Sequence, residues 1–183
     1  MAFNINDIIA NLKFGGARPT LFQVQLTNPV APVADVSAPF LIQATSIPEM
    51  QLGSIPVPYF GRKINVAGDR TFQPWSVQVI NDEDFAIRDA LEQWNAAING
   101  LQANIRKLSS SAPAAYKSTG LVSQYDKGGN IIRVYEMEGV WPMQISGIPL
   151  AWAQTDTIET FATTFQLDWW QVAGGTTNSG NVN

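Results

Sequence analysis

Cysteine and histidine are both missing from this 183-residue sequence, and their joint absence removes much of the usual catalytic repertoire. Without cysteine there is no disulfide and no thiolate metal site. Without histidine the commonest general base and the commonest metal ligand are lost together. Charge is scarce too: charged residues make up 14% of the chain, against a norm of about 25%. With a formal net charge of -4, the clustered Lys and Arg that grip nucleic-acid phosphates are not available overall. Long apolar runs are also wanting. The longest uncharged stretch, Gly139 to Thr155, is interrupted by Pro142, Gln144, Pro149 and Gln154 and falls short of the apolar helix of about 20 residues that spans a membrane. Met1 to Ala10 has no basic start and Asp7 breaks its apolar residues, so a secretory signal is not expected.

What is present is greasy and aromatic: 45% hydrophobic residues, with six Trp and nine Phe. A chain of this length forms one core, expected over residues 1–173 with a flexible tail over 174–183, and buries roughly 70% of its extended surface. A soluble chain so poor in charge hides part of the remainder against partners, and large aromatic rings serve interfaces as well as cores.

Apolar and polar residues alternate in Phe22, Val24 and Leu26 against Gln23 and Gln25, and in Trp75, Val77 and Val79 against Ser76 and Gln78, which predicts half-buried strands. From Ile158 to Trp170 the same alternation predicts one long strand, with Phe161, Thr163, Phe165, Leu167 and Trp169 on one side and Ala162, Thr164, Gln166 and Asp168 on the other. Asp126-Lys127-Gly128-Gly129-Asn130 predicts a hairpin joining Leu121–Tyr125 to Ile131–Met137. Further strands are expected at Phe40–Thr45, Arg62–Val66 and Val140–Ile145. Ile87, Leu91, Trp94 and Ile98 form one helical stripe, with Asn81 as a candidate cap, Asp82, Glu83 and Asp84 suited to the helix dipole, and Gly100 as a candidate C-cap. A second short helix fits Ile5–Leu12. Asn28–Ala38, Leu108–Ala115 and Gly174–Asn183 read as poorly structured. The fold class is therefore mainly β: two packed antiparallel sheets, a sandwich or barrel, with one flanking helix.

Catalytic readings fail one by one. The trio Asp82, Glu83 and Asp84 projects in three directions from a helix start, and counting a calcium loop from Asp82 places Ala86, Arg88 and Gln93 at ligand positions. No serine has a base at S-x-x-K spacing, and neither phosphate-binding glycine motif occurs. No enzyme activity, cofactor or metal is expected. Arg62, Lys63 and Arg70, near Tyr59, Phe60 and Trp75, could suggest a nucleic-acid platform, but alternation puts Arg62 and Lys63 on opposite faces of a strand. The exposed tryptophans of a monomeric carbohydrate-binding sandwich, Trp152, Trp169 or Trp170, are a further rival. The stretch from Ile47 to Pro58 carries apolar residues with neither strand nor helix period, and is either a loop folded back on its own domain or an arm placed against a neighbour.

Residues 58 to 100 carry Tyr59, Phe60, Gly61, Arg62, Lys63, Gly68, Asp69, Arg70, Pro74, Trp75, Asp82, Asp84, Phe85, Arg88 and Trp94 in one ordered run. Ala17-Arg18-Pro19, Tyr125-Asp126, Trp141-Pro142, Phe161 and Phe165 extend the pattern over nearly the whole chain. It resembles the tail tube proteins of contractile-tailed bacteriophages. The resemblance implies six subunits closing a ring by continuous sheet pairing, and rings stacking into a hollow tube through which double-stranded DNA passes without specific binding. It implies a sheath outside, a tape-measure protein inside during assembly, and baseplate and terminator proteins at the ends, in a virion assembled in the host cytoplasm. It favours the arm, and places subunit contacts at Arg18, Pro19, Ile47, Pro48, Met50, Leu52, Ile55, Val57, Tyr59, Phe60, Arg62, Asp69 and Arg70. Thr164 and Gln166 are candidates for the lumen wall. The inner tube of a related injection machine, such as a contractile bacteriocin, an extracellular injection system or type VI secretion, is the closest alternative.

Overall fold

The computed structural model describes residues 5–12, 16–106 and 112–175, so the predicted tail beyond 175 and the stretch 107–111 lie outside the described residues. Nine strands are present among the described residues. One sheet carries β1 (Phe22–Leu26), β6 (Ser118–Tyr125), β7 (Ile131–Ile145) and β9 (Trp169–Gly174), and the other β2 (Ile42–Thr45), β5 (Trp75–Ile80) and β8 (Thr160–Gln166). All pairings are antiparallel, and β7 belongs to both sheets: its first two-thirds lies between β6 and β9, and its end pairs with β8. The expected mainly-β, two-sheet class is borne out.

The core is built from the apolar face of each alternating strand. Trp75, Val77 and Val79 of β5 and Phe161 and Phe165 of β8 meet Val122, Met137 and Val140 from the facing sheet. Trp75 lies over Gly120 of β6, packs its ring 5.4 Å from that of Phe165, and donates its indole N–H to Thr45 Oγ1 at 2.8 Å. The predicted helical stripe forms α3 (Ala86–Ile98), burying Ile87, Leu91 and Trp94. Trp94 packs on Phe165 and donates to the Tyr116 carbonyl at 2.8 Å, tying the helix to the sandwich.

Several local expectations are corrected. The helix start is not capped by Asn81, which is buried and donates to Glu159 Oε1 at 2.6 Å; Asp82 Oδ1 instead accepts the Ala86 N–H, and Phe85 occupies the left-handed turn at φ 53°. Gly100 is no left-handed cap either, because Asn99 ends the helix in extended conformation and the Gly100 N–H donates to the Ile105 carbonyl. Asn28–Ala38 is ordered: α2 (Val33–Leu41) forms there, Asn28 Oδ1 accepting the N–H groups of Val30 and Ala31 while its amide donates to the buried Ala90 carbonyl. The tertiary bond to Ala90 and the fully buried Ala38 outweigh Pro39 inside the helix. A second core helix therefore joins the one expected, and β2 shortens to start after Leu41. A single turn, α4 (Pro113–Tyr116), lies in the stretch expected to lack structure. The helix foreseen near the start is present as α1 (Ile5–Asn11).

The single strand expected from Ile158 to Trp170 is divided between the sheets. At the corner the Asp168 N–H donates to the Glu138 carbonyl at 2.9 Å, and its carboxylate takes the Lys117 ammonium at 2.7 Å. Gly139, at φ 70°, makes room, since a Cβ there would fall 2.2 Å from Asp168 Oδ2.

Candidate assembly interface

Residues 47–58 do not form a loop. From Met50 the chain runs as β3 (Met50–Tyr59), turns at Phe60-Gly61, and returns as β4 (Arg62–Phe72), a two-stranded ribbon paired with no other strand. The missing alternation has a physical cause: apolar residues such as Ile55, Pro56, Val57 and Pro58 fall on both faces, and neither face is packed on the core. Pro56 and Pro58 are tolerated because a strand of such a ribbon always has one unpaired edge. At its base Phe72 packs edge-on against Trp170, and the Gln73 N–H donates to the Glu49 carbonyl. Everything beyond the base is in water.

The distal half has a distinct apolar face. Cross-strand pairs Tyr59–Arg62, Val57–Ile64 and Ile55–Val66 stack along one side, with the four aliphatic residues Ile55, Val57, Ile64 and Val66 about half exposed. A free globule rarely leaves so large an apolar strip uncovered. Met50 and Leu52 are exposed nearer the base, where Gly53 faces Gly68 and Asp69 across a bulge that precedes the Leu52–Arg70 pair. Of the predicted contact residues, Met50, Leu52, Ile55, Val57, Tyr59, Phe60, Arg62, Asp69 and Arg70 are thus gathered on the ribbon. Ile47 and Pro48 are not: Ile47 packs on the core and Pro48 is buried. Arg18 and Pro19 are exposed in the segment leading to β1.

Uncharged strands leave edges able to recruit another chain, and the sheet order shows which strands these are. The edge strands β1, β2 and β9 read FQVQL, IQAT and WWQVAG, without one charged residue among them. Monomeric β proteins guard such edges with lysine, proline or bulges, because unpaired N–H and C=O groups recruit further strands. Only the composition of each short strand, joined to knowledge of which are edges, could have revealed this.

The predicted lumen residues lie on the outer face of β8. Thr164 sits between Ser76 of β5 and Gln144 of β7, and Ala162 faces Gln78; Gln166 ends the row opposite Trp141. This wall is polar and uncharged. Among the described residues no cluster of three potential metal ligands occurs, and no helix is long and apolar enough to cross a membrane.

The model of the family described as phage tail tube protein matches residues 17–173 of this chain, the exposed ribbon and the bare edges included. This chain belongs to the phage tail tube protein family. The tail tube protein gp19 of Enterobacteria phage T4 is 34% identical over 169 residues, covering 91% of this chain and 99% of that one. In fold, this tail tube protein is similar to a chain of the anti-feeding prophage tube-terminating cap (TM-score 0.62, 12% identity, 86% and 90% covered) and to one of the sheath–tube complex of an extracellular contractile injection system (TM-score 0.55, 13% identity, 93% and 99% covered). Its place as a structural component of phage tails follows from family membership.

Proposed function

We propose that this tail tube protein builds the inner tube of a contractile phage tail: six copies close a ring through the uncharged edges β1, β2 and β9, and rings stack through the β3–β4 ribbon into a conduit for the genome. The observation that carries this reading is the ribbon, long, apolar on one distal side and supported only at its base. Side-by-side contacts between unlike surfaces close at one rotation angle, whereas stacked contacts of the same kind continue indefinitely. Length is then set by another protein, the role assigned to a tape measure, with a sheath outside and baseplate and terminator proteins at the ends, in a virion assembled in the host cytoplasm.

The uncharged outer face of β8 lines the channel. Duplex DNA carries about one negative charge per 1.7 Å, so a basic wall would hold it and a neutral one lets it pass. Purified protein supplied with its initiating baseplate complex forms hollow tubes visible by negative-stain microscopy; a permanent monomer refutes the assignment. Gln166→Lys and Thr164→Lys phages assemble tails of normal length but deliver DNA more slowly, and unchanged delivery refutes the lumen assignment.

A further inference from the structure

We infer that the aromatic tip of the β3–β4 ribbon seats in the pocket formed by residues 148–160 of a copy in the adjacent ring. This pairing rests on the tube reading and supplies the receptor for its stacking contact.

The tip is an unusual turn. Phe60 and Gly61 both have positive φ, 43° and 81°, the geometry for which two-residue hairpins ordinarily use Asn-Gly or Asp-Gly. A bulky residue at that position is disfavoured by its own backbone, and such outliers concentrate where the side chain has a task. Phe60 is 92% exposed, and its one aromatic neighbour is Tyr59, edge-on at 4.7 Å. Within its own chain the ring does almost no packing.

A pocket of about 320 Å³, open to solvent on one side, lies between the end of β7 and the start of β8, where Ile148, Leu150 and Ile158 line it together with the polar Gln154, Thr157 and Glu159. That is near the small end of the range for sites that enclose an organic group, about 300–1,000 Å³. Leu150 and Ile158 are 82% and 73% exposed, so the apolar part of the lining is not covered by the chain's own side chains.

Position and charge select the occupant. The ribbon is rooted at the Trp75 end of β5, whereas the pocket adjoins the Ile80 end, where the Asn81 N–H donates to the Glu159 carbonyl. The base of the ribbon and the pocket thus adjoin opposite ends of one strand, and a contact between two such unlike surfaces on successive copies repeats head to tail. Arg62 and Lys63 flank the tip. Asp156 and Glu159 belong to the pocket segment, and Asp82, Glu83 and Asp84 follow β5 on the adjoining loop. The base at that end, Arg88, is already held by Glu92 at 2.8 Å and by the Ser146 carbonyl. A basic aromatic knob thus meets an acidic socket of mixed polarity, the complementarity that orients partners and rejects inverted ones.

Because the chain has no cysteine of its own, cross-linking reports the contact cleanly. Chains carrying both Phe60→Cys and Leu150→Cys are polymerised, checked by microscopy and treated with a short bis-maleimide. The expected product is a ladder of covalent multimers, and an equal mixture of the two single variants gives dimers only. Intact tubes that yield only monomer overturn the contact while leaving the tube reading standing; failure of the unmodified chain to polymerise removes both. Should the double variant not polymerise, the mixed single variants decide, dimers supporting the contact and their absence overturning it.

Discussion

Replacing Gly120 by alanine tests how tightly the two sheets are pressed together. A Cβ at that position would lie 2.7 Å from Trp75 Cζ3 and 3.1 Å from Cη2, well inside ordinary contact. The indole has nowhere to retreat: Trp75 is completely buried, with Phe165 beside it and its N–H held by Thr45. Forcing a methyl into a packed core costs about 1–3 kcal/mol. If the indole moves far enough to lose Thr45, a buried donor is left without a partner, at a further cost of about 1–3 kcal/mol. A combined loss of about 3 kcal/mol lowers the midpoint of a domain this size by about 6–12 °C, at about 2–4 °C per kcal/mol. The assay is thermal unfolding of the unassembled subunit, followed by near-ultraviolet circular dichroism. Gly147→Ala, where a Cβ would meet nothing within 4 Å, serves as the control and stays within about 0.5 kcal/mol. A Gly120→Ala subunit that melts with the unmodified chain refutes the described packing of Trp75.

Two predictions concern pH. Burial, and then the neighbouring Glu136 carboxylate, raise the pKa of Glu138, so the folded state holds this proton more tightly than the unfolded state does. Its contribution is complete below the ordinary glutamate pKa and fades as pH rises through the raised folded value; Glu138→Gln removes that dependence and raises the neutral-pH melting point, and an unchanged pH profile counts against it. Asp126 behaves oppositely. Hydrogen bonds led by the Asn130 backbone N–H hold its carboxyl below the usual aspartate range, so its support of the β6–β7 turn is complete above the ordinary aspartate pKa and is lost as pH falls through the lower folded value. Asp126→Ala therefore loosens turn amides at neutral pH in hydrogen exchange, with little added effect at strongly acidic pH; equal protection at neutral pH contradicts it.

The half-buried strands were the most legible elements. In β5 and β8 one face meets the core and the other does not, so Trp75, Val77, Phe161 and Phe165 announce their direction in the order of residues alone. The same logic identified α3 from its stripe. Reading failed where the deciding interaction is distant: α2 is held by Asn28 reaching Ala90, 62 residues away, while its prolines suggest disorder. It failed again at Asp168, because alternation continues unbroken while the chain changes sheets at a corner fixed by Glu138, Lys117 and Gly139. Of the exposed ribbon, Met50, Leu52, Ile55, Val57, Tyr59, Phe60, Arg62, Asp69 and Arg70 were legible in the sequence as candidate contacts. Their shape was not, since a ribbon exposed on both sides produces no inside-outside rhythm, and edge strands cannot be recognised until the sheet order is known.

A lone β-hairpin is marginally stable in water, and here the distal β3–β4 segment has no third layer within its own chain to lean on. Left uncovered, its amides lie open to frequent local opening, and an endopeptidase that needs extended backbone can reach them; in the proposed tube they are sealed. Surplus subunits would then be cleared by the host's proteases while assembled ones persist, so the stockpile of free material is trimmed without any dedicated regulator.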